Sequence, residues 1–171
     1  MQEAGFQEYA VFVRISKNYK LADKEKDKKR RESMDSIYDE KYGYWAEKED
    51  IDDILEKMQE VFDPYTYHLC TREQLEDFVE KKWCLIHKEQ GKIVSIIIFK
   101  LEGVKRYGYY MYNDASIDVL YSLQKKVSML DKEKGITYFY GWMDKANKKA
   151  KIVNSFYDIE PDGLYDIVYK N

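Results

Sequence analysis

Two histidines, two cysteines and a scatter of carboxylates are the groups in this 171-residue chain best suited to covalent or metal chemistry. Their spacing assembles neither. His68 falls in an expected loop and His87 in an expected strand, and no His/Cys/carboxylate set has the spacing of a metal site. Cys84, two residues before Ile86 on the same strand, has no nearby base to make a thiolate and reads as core. The stretch that does read as a site is 107–143. Its run YGYYMY at 107–112 has strand composition. Asn113, Asp114, Ala115 and Ser116 then supply turn and N-cap chemistry. Ile117, Leu120, Leu123, Val127 and Leu130 recur at the spacing of one helix face. Gly135 ends that helix, and 136–142 forms a second strand. A strand, a helix and a second strand predict a crossover with the two strands parallel. The end of the first strand and the start of the helix then share one crevice, the default ligand site of an α/β sheet. Met111, Tyr112, Asn113, Asp114, Ala115, Ser116 and Ile117 stand there. Tyr107, Tyr109, Tyr110 and Tyr112 read as sheet packing rather than as a substrate cage.

The rest of the chain must position that crevice. Residues 8–15 read as a strand, and the charge run at 23–32 as a solvated helix or linker within a linker at 21–38. A short strand at 43–47 precedes a helix capped by Asp50, with Ile51, Ile54, Leu55, Met58, Val61 and Phe62 on one stripe. Asp63-Pro64 stops it. Thr71 and Gln74 form a capping box for a second helix, with Leu75, Phe78 and Val79 inward. Strands at 83–88 and 93–101 follow; the second, nearly all apolar, predicts a central strand covered on both faces. Short glycine turns make these and the focal strand an antiparallel meander. A helix at 146–157 and an alternating strand at 164–169 complete the order, with Leu164, Ile167 and Tyr169 needing a bulge or partial burial to share a face. The expected class is α/β (α+β): a mixed, mostly antiparallel central sheet with helices on both faces. Residues 1–40 read as an N-terminal strand and charged linker, and 41–171 as the main domain.

The totals narrow the function. Net charge is −3 with both signs interspersed, which argues against a nucleic-acid partner. No apolar run approaches the roughly 20 residues of a membrane helix, and the start MQEAG lacks the basic and apolar parts of a signal peptide. Cys70 and Cys84 read as free, reduced thiols of a cytoplasmic protein.

The element order, together with particular residues, resembles the GNAT superfamily of acyl-CoA-dependent N-acyltransferases. The resemblance spans roughly 42–170. It is carried by FDPYTYHL at 62–69 with REQL at 72–75, by Trp142 with Asn147-Lys-Lys-Ala150, and by DGLYD at 162–166. It implies that the focal strand and its parallel neighbour splay apart and hold the pantetheine arm of acetyl-CoA. The pyrophosphate would rest on the amides of residues 113–117, with Asn147 also at the cofactor. The implied reaction is direct attack of a small-molecule or peptide amine on the thioester, with the carbonyl polarised by a backbone amide of the focal strand. Glu47 or Glu102 would free the amine of its proton.

The chain departs from the family where cofactor chemistry is done. Its phosphate loop has neither glycine nor arginine, and Asp114 and Asp118 place negative charge beside the expected phosphate. A carboxylate within ~4 Å of a phosphate costs on the order of 1–4 kcal/mol, against a helix-dipole contribution of about 0.3–1 kcal/mol. The family's acid, a tyrosine seven residues after the asparagine, is here Asn154, whose amide cannot give up a proton at neutral pH; Tyr157 lies almost a turn further on. Two readings stay open: an N-acetyltransferase, or a catalytically degenerate domain that serves as a binding or scaffold module. Gly5-Phe6 and the strand after it resemble the tail of a GNAT-type half. The chain therefore either starts at the end of a preceding domain or opens on a plain strand, with a homodimer as a further arrangement.

Overall fold

The computed structural model describes residues 5–170. One seven-stranded sheet runs through them, in the order β2-β3-β4-β5-β6-β1-β7. The strands are β1 Gln7–Asn18, β2 Tyr44–Trp45, β3 Cys84–Glu89, β4 Lys92–Glu102, β5 Lys105–Asn113, β6 Tyr138–Asp144 and β7 Glu160–Lys170. The helices are α1 Lys24–Ile37, α2 Ile51–Val61, α3 Arg72–Glu80, α4 Ile117–Glu133 and α5 Lys148–Phe156. Every neighbouring pair of strands is antiparallel except β5 and β6, which the α4 crossover makes parallel.

The apolar periods set two layers on the sheet. Ile51, Ile54 and Met58 of α2, with Leu75 and Phe78 of α3, bury one face of β3, β4 and β5 at Cys84, Ile86, Ile96, Ile98 and Tyr110. Val119, Leu123 and Val127 of α4 cover the other face at Leu85, Ile97 and Phe99. Strand β4 is apolar at consecutive positions because both of its sides lie in core. Ala150 of α5 packs on a third cluster, Val13, Ile15, Phe139 and Met143. That cluster lies on the α4 side, since the Arg106 guanidinium stands over both the Phe99 and the Phe139 rings.

Cap residues fix where helices start. The Thr71–Gln74 box is formed, Ser116 Oγ accepts from Val119 N, and Asn147 Oδ1 accepts from Ala150 N at 3.0 Å. Asp50 differs from the expectation. A 3₁₀ turn, Lys48–Asp50, precedes α2, and the Asp50 carboxylate turns back to Glu47 N at 3.0 Å, the Tyr44 hydroxyl at 3.0 Å and Lys88 Nζ at 2.9 Å instead of capping α2.

Two features lie beyond the local patterns. Strand β1 sits inside the sheet between β6 and β7, its register with β7 shifted after Glu8 and after Val13. The charge run folds as α1 and ties the end of α5. Lys17 Nζ donates to Asp27 at 2.9 Å and to the Tyr157 carbonyl at 2.8 Å, Arg30 Nε donates to the Phe156 carbonyl at 2.6 Å, and Arg30 and Lys26 both bind Asp158. These cations meet the carbonyls left free at a helix C-terminus.

Candidate functional site

The β5–β6 pairing is short. Lys105, Arg106, Tyr107 and Gly108 pair with Tyr138, Phe139, Tyr140 and Gly141, and beyond Gly108 and Gly141 the strands part. From there β5 stays with β4 and β6 stays with β1, with Phe12 opposite Asp144. A bulge helps to open the fork. Ile98 pairs with Tyr110 and Phe99 with Gly108, so Tyr109 is an extra residue on β5 beside the apex. Two glycines face each other there because side chains would not fit: a Cβ on Gly141 would lie 3.2 Å from the Gly108 carbonyl oxygen.

A cleft of about 120 Å³, open to solvent, occupies the fork. Its walls come from β5 at Gly108–Met111 and β6 at Gly141–Asp144. On the α4 side it is lined by Gln124, Asn154 and Tyr157, and on the opposite side by Phe62 and Tyr67. The cleft thus passes between strands, from one face of the sheet to the other. Arg106 forms part of its floor, but its charge is taken up: Nε lies 2.9 Å from both Asp131 carboxylate oxygens and a terminal nitrogen 3.3 Å from the Tyr19 hydroxyl. Burial pushes the Asp131 carboxyl up, and the guanidinium pulls it back only in part.

Of the residues expected at the cofactor, Met111 and Asn147 line this cleft. Tyr112, Asn113, Asp114, Ala115, Ser116 and Ile117 continue past it along the strand end into the start of α4. The Asp114 amide is occupied by the Val94 carbonyl at 2.8 Å, and the Asn113 side chain by Ser95 Oγ and the Ala115 carbonyl. The Ile117 and Asp118 amides make no hydrogen bond among the described residues. Asp114 and Asp118 are both exposed beside them.

Asn154 is buried, and its amide donates to the Met143 sulfur at 3.2 Å. Tyr157, one turn on, is the side chain that sequence spacing alone underrates. Its hydroxyl is the one buried side-chain polar atom without a partner among the described residues. Burial raises its pKa well above the ordinary phenol value. Glu47 and Glu102 do not line the cleft; Glu47 forms a capping box on the 3₁₀ turn, and Glu102 ends β4 at the hairpin into β5. Asp144 is the only carboxylate in the lining, and nothing in the local sequence pattern marks it. His87 Nδ1 accepts from Gly43 N at 3.2 Å, and Cys84 is fully buried with its thiol pKa pushed up by desolvation, so both are structural.

Neither a protein-family model nor a curated protein matches the chain in sequence. Solved structures do match. A GCN5-related N-acetyltransferase from Sphaerobacter thermophilus aligns with 99% of this chain at a TM-score of 0.65 and 10% identity. An acetyltransferase from the GNAT family of Colwellia psychrerythraea aligns with 97% at 0.58 and 12% identity. The chain spans 53% and 56% of those two proteins, about half of each. The PaiA N-acetyltransferase of Thermoplasma acidophilum, solved in complex with coenzyme A, aligns over 75% of this chain and 97% of its own at 0.55 and 15% identity. The forked parallel pair, the mostly antiparallel sheet, the helices on both faces and these superpositions together establish that the chain has the GNAT fold.

Proposed function

We propose that the chain is an N-acyltransferase that moves the acetyl group of acetyl-CoA onto an amine. The observation that carries this reading is the fork, a cleft through the sheet bounded by unpaired strand edges. Among the described residues β5 has no partner on its β6 side from Tyr109 onward, so its backbone can pair with the amides of a pantetheine arm. The bulge at Tyr109 offers an amide near the narrow end, where a thioester carbonyl would need a donor. The wide end faces the free amides of Ile117 and Asp118 at the start of α4, which suit the pyrophosphate. An amine entering from the Phe62 and Tyr67 side reaches the thioester from the opposite face. Tyr157, held protonated by burial, is the donor placed to meet the departing thiolate, in place of Asn154. On this reading the α1 clamp on the Phe156 and Tyr157 carbonyls fixes where that phenol stands.

A second reading has one specific support. Asp114 and Asp118 flank the unbonded Ile117 and Asp118 amides at the start of α4, which favours a domain that keeps the fold and has lost the cofactor. Thermal unfolding with acetyl-CoA separates the two. A ligand at a hundred times its Kd adds about 2.7 kcal/mol, a rise of roughly 5–10 °C for a chain of this size. Acyl transfer predicts that rise, and its loss on blocking the fork; no rise at millimolar acetyl-CoA leaves the degenerate domain.

A further inference from the structure

The mouth of the cleft on the α2 side has a charge and a surface that the acyl-transfer reading does not use. Asp144 is the last residue of β6 and alternates onto the face of Trp142, away from Gly141 and Met143. Its register partner Phe12 holds the Tyr67 ring at 5.6 Å, so the carboxylate stands beside that phenol. The electrostatics agree: burial first and the Asp144 charge second raise the Tyr67 pKa. One oxygen, Oδ1, accepts from Ala146 N at 2.8 Å in the turn into α5. The other has no hydrogen bond or ion pair among the described residues. The only cation in the lining, Arg106, is already paired to Asp131. The cleft therefore keeps one uncompensated negative charge, half-buried and close to aromatic rings. A carboxylate with ring faces is the composition that holds an ammonium group.

Distance decides which ammonium. The reacting nitrogen must reach the narrow end of the fork, beside Gly141 and the Tyr109 bulge. Asp144 lies three residues further along β6, roughly 10 Å away at ~3.3 Å per residue. A general base must lie within about 3.2 Å of the proton it removes, or one water away. Asp144 is too far to deprotonate the attacking amine. A carboxylate touching that amine would also hold it in its charged, non-nucleophilic form.

We infer that Asp144, with Trp142 and Tyr67, binds a second, non-reacting ammonium of the acceptor, so that the preferred acceptor class is an alkyl diamine whose nitrogens stand roughly 10 Å apart. The inference rests on the acyl-transfer reading for the position of the first nitrogen. The charged end is anchored at the mouth, and the chain between the nitrogens lies along Trp142.

Calorimetry with straight-chain α,ω-diamines of increasing length, against n-alkyl monoamines of matching length, tests it directly. The expected result is a diamine affinity that peaks with chain length and exceeds the matched monoamine by about tenfold, the equivalent of ~1.4 kcal/mol. Asp144→Asn keeps the acceptor for Ala146 N and should lower diamine affinity to the monoamine level with thermal stability unchanged. Trp142→Leu, at a position 38% exposed, should weaken the same diamines and serves if Asp144→Asn unfolds. Equal affinity for diamines and monoamines, or a diamine preference that survives Asp144→Asn, overturns the inference. Acetyl-CoA titrated in parallel keeps the two failures apart. A thermal shift with acetyl-CoA but no diamine preference overturns the ammonium site alone. A diamine preference lost in Asp144→Asn, with no acetyl-CoA shift, overturns acyl transfer and leaves the ammonium site standing.

Discussion

The Arg106–Asp131 pair lets the packing argument be tested with the energies of buried charges. Both side chains are about one-tenth exposed, and the guanidinium is sandwiched near Phe139, 4.4 Å from its ring centre, and Phe99. Removing one partner leaves the other charge buried and alone. Asp131→Leu or Arg106→Met should each cost about 3–5 kcal/mol, because the Coulombic gain disappears while one desolvation penalty stays. For a chain of this length that is a fall in Tm of roughly 6–20 °C, a large part of a typical ~5–15 kcal/mol stability. Arg106→Met combined with Asp131→Leu removes both penalties and should fall near the parent. Urea unfolding of the four proteins, followed by circular dichroism, gives the coupling energy directly. Either single variant costing under ~1 kcal/mol would mean that the pair is solvated like a surface bridge. A double variant as unstable as the sum of the singles would refute the desolvation argument altogether.

Acid should loosen the clamp between α1 and α5. Burial pushes the Asp158 carboxyl up, but its bonds from Lys26 and Arg30 outweigh that and hold it below the ordinary carboxylate value. Its contribution is therefore complete above the unfolded value of ~3.9 and disappears as pH falls through the lower folded value. Asp158→Asn, which suits the positive φ of 51° there, should be less stable at neutral pH and lose less on acidification; parallel stability–pH curves for parent and variant would refute this. At the apex, Gly141→Ala places a methyl 3.2 Å from the Gly108 carbonyl oxygen and 3.5 Å from the Phe139 ring. It should cost ~1–3 kcal/mol by overpacking and, on the acyl-transfer reading, weaken acetyl-CoA binding. Unchanged unfolding and unchanged ligand shifts would mean that the Phe139 ring simply yields.

The focal unit was legible because its signals are local. The tyrosine-rich strand, the Ser116 cap, the one-faced helix and the Gly135 stop each act within a few residues, and they give β5, α4 and β6 directly. The parallel pairing follows from the length of the crossover. The slot taken by β1 was not legible, because a strand's neighbours depend on contacts across almost the entire chain. The charge run read as a solvated face because its partners, the carbonyls of α5 and Asp158, lie more than a hundred residues away. Of the residues expected at the cofactor, Met111 and Asn147 are the two that line the cleft. Tyr157 was noted only as a neighbour of Asn154, and Asp144 was not singled out, since burial and an unpartnered oxygen are what mark them. The bulge at Tyr109 moves side chains between faces, so alternation alone cannot say which tyrosines look into the cleft.

Strand β1 has a consequence for biosynthesis. Gln7 of β1 pairs with Lys170 of β7, so β1 leaves the ribosome well before the strand that holds it. Until then Phe12, Val13 and Ile15 must wait without the β-ladder that covers them in the finished sheet, beside a solubilising helix of mixed charge. Closure of so distant a pair is entropically slow, and a waiting apolar strand is a template for mispairing with other nascent copies. Lys26 and Arg30 of α1 thus belong to both stages: they put charge beside the waiting strand, and in the finished fold they bind Asp158 at the end of the helix that lines the cleft.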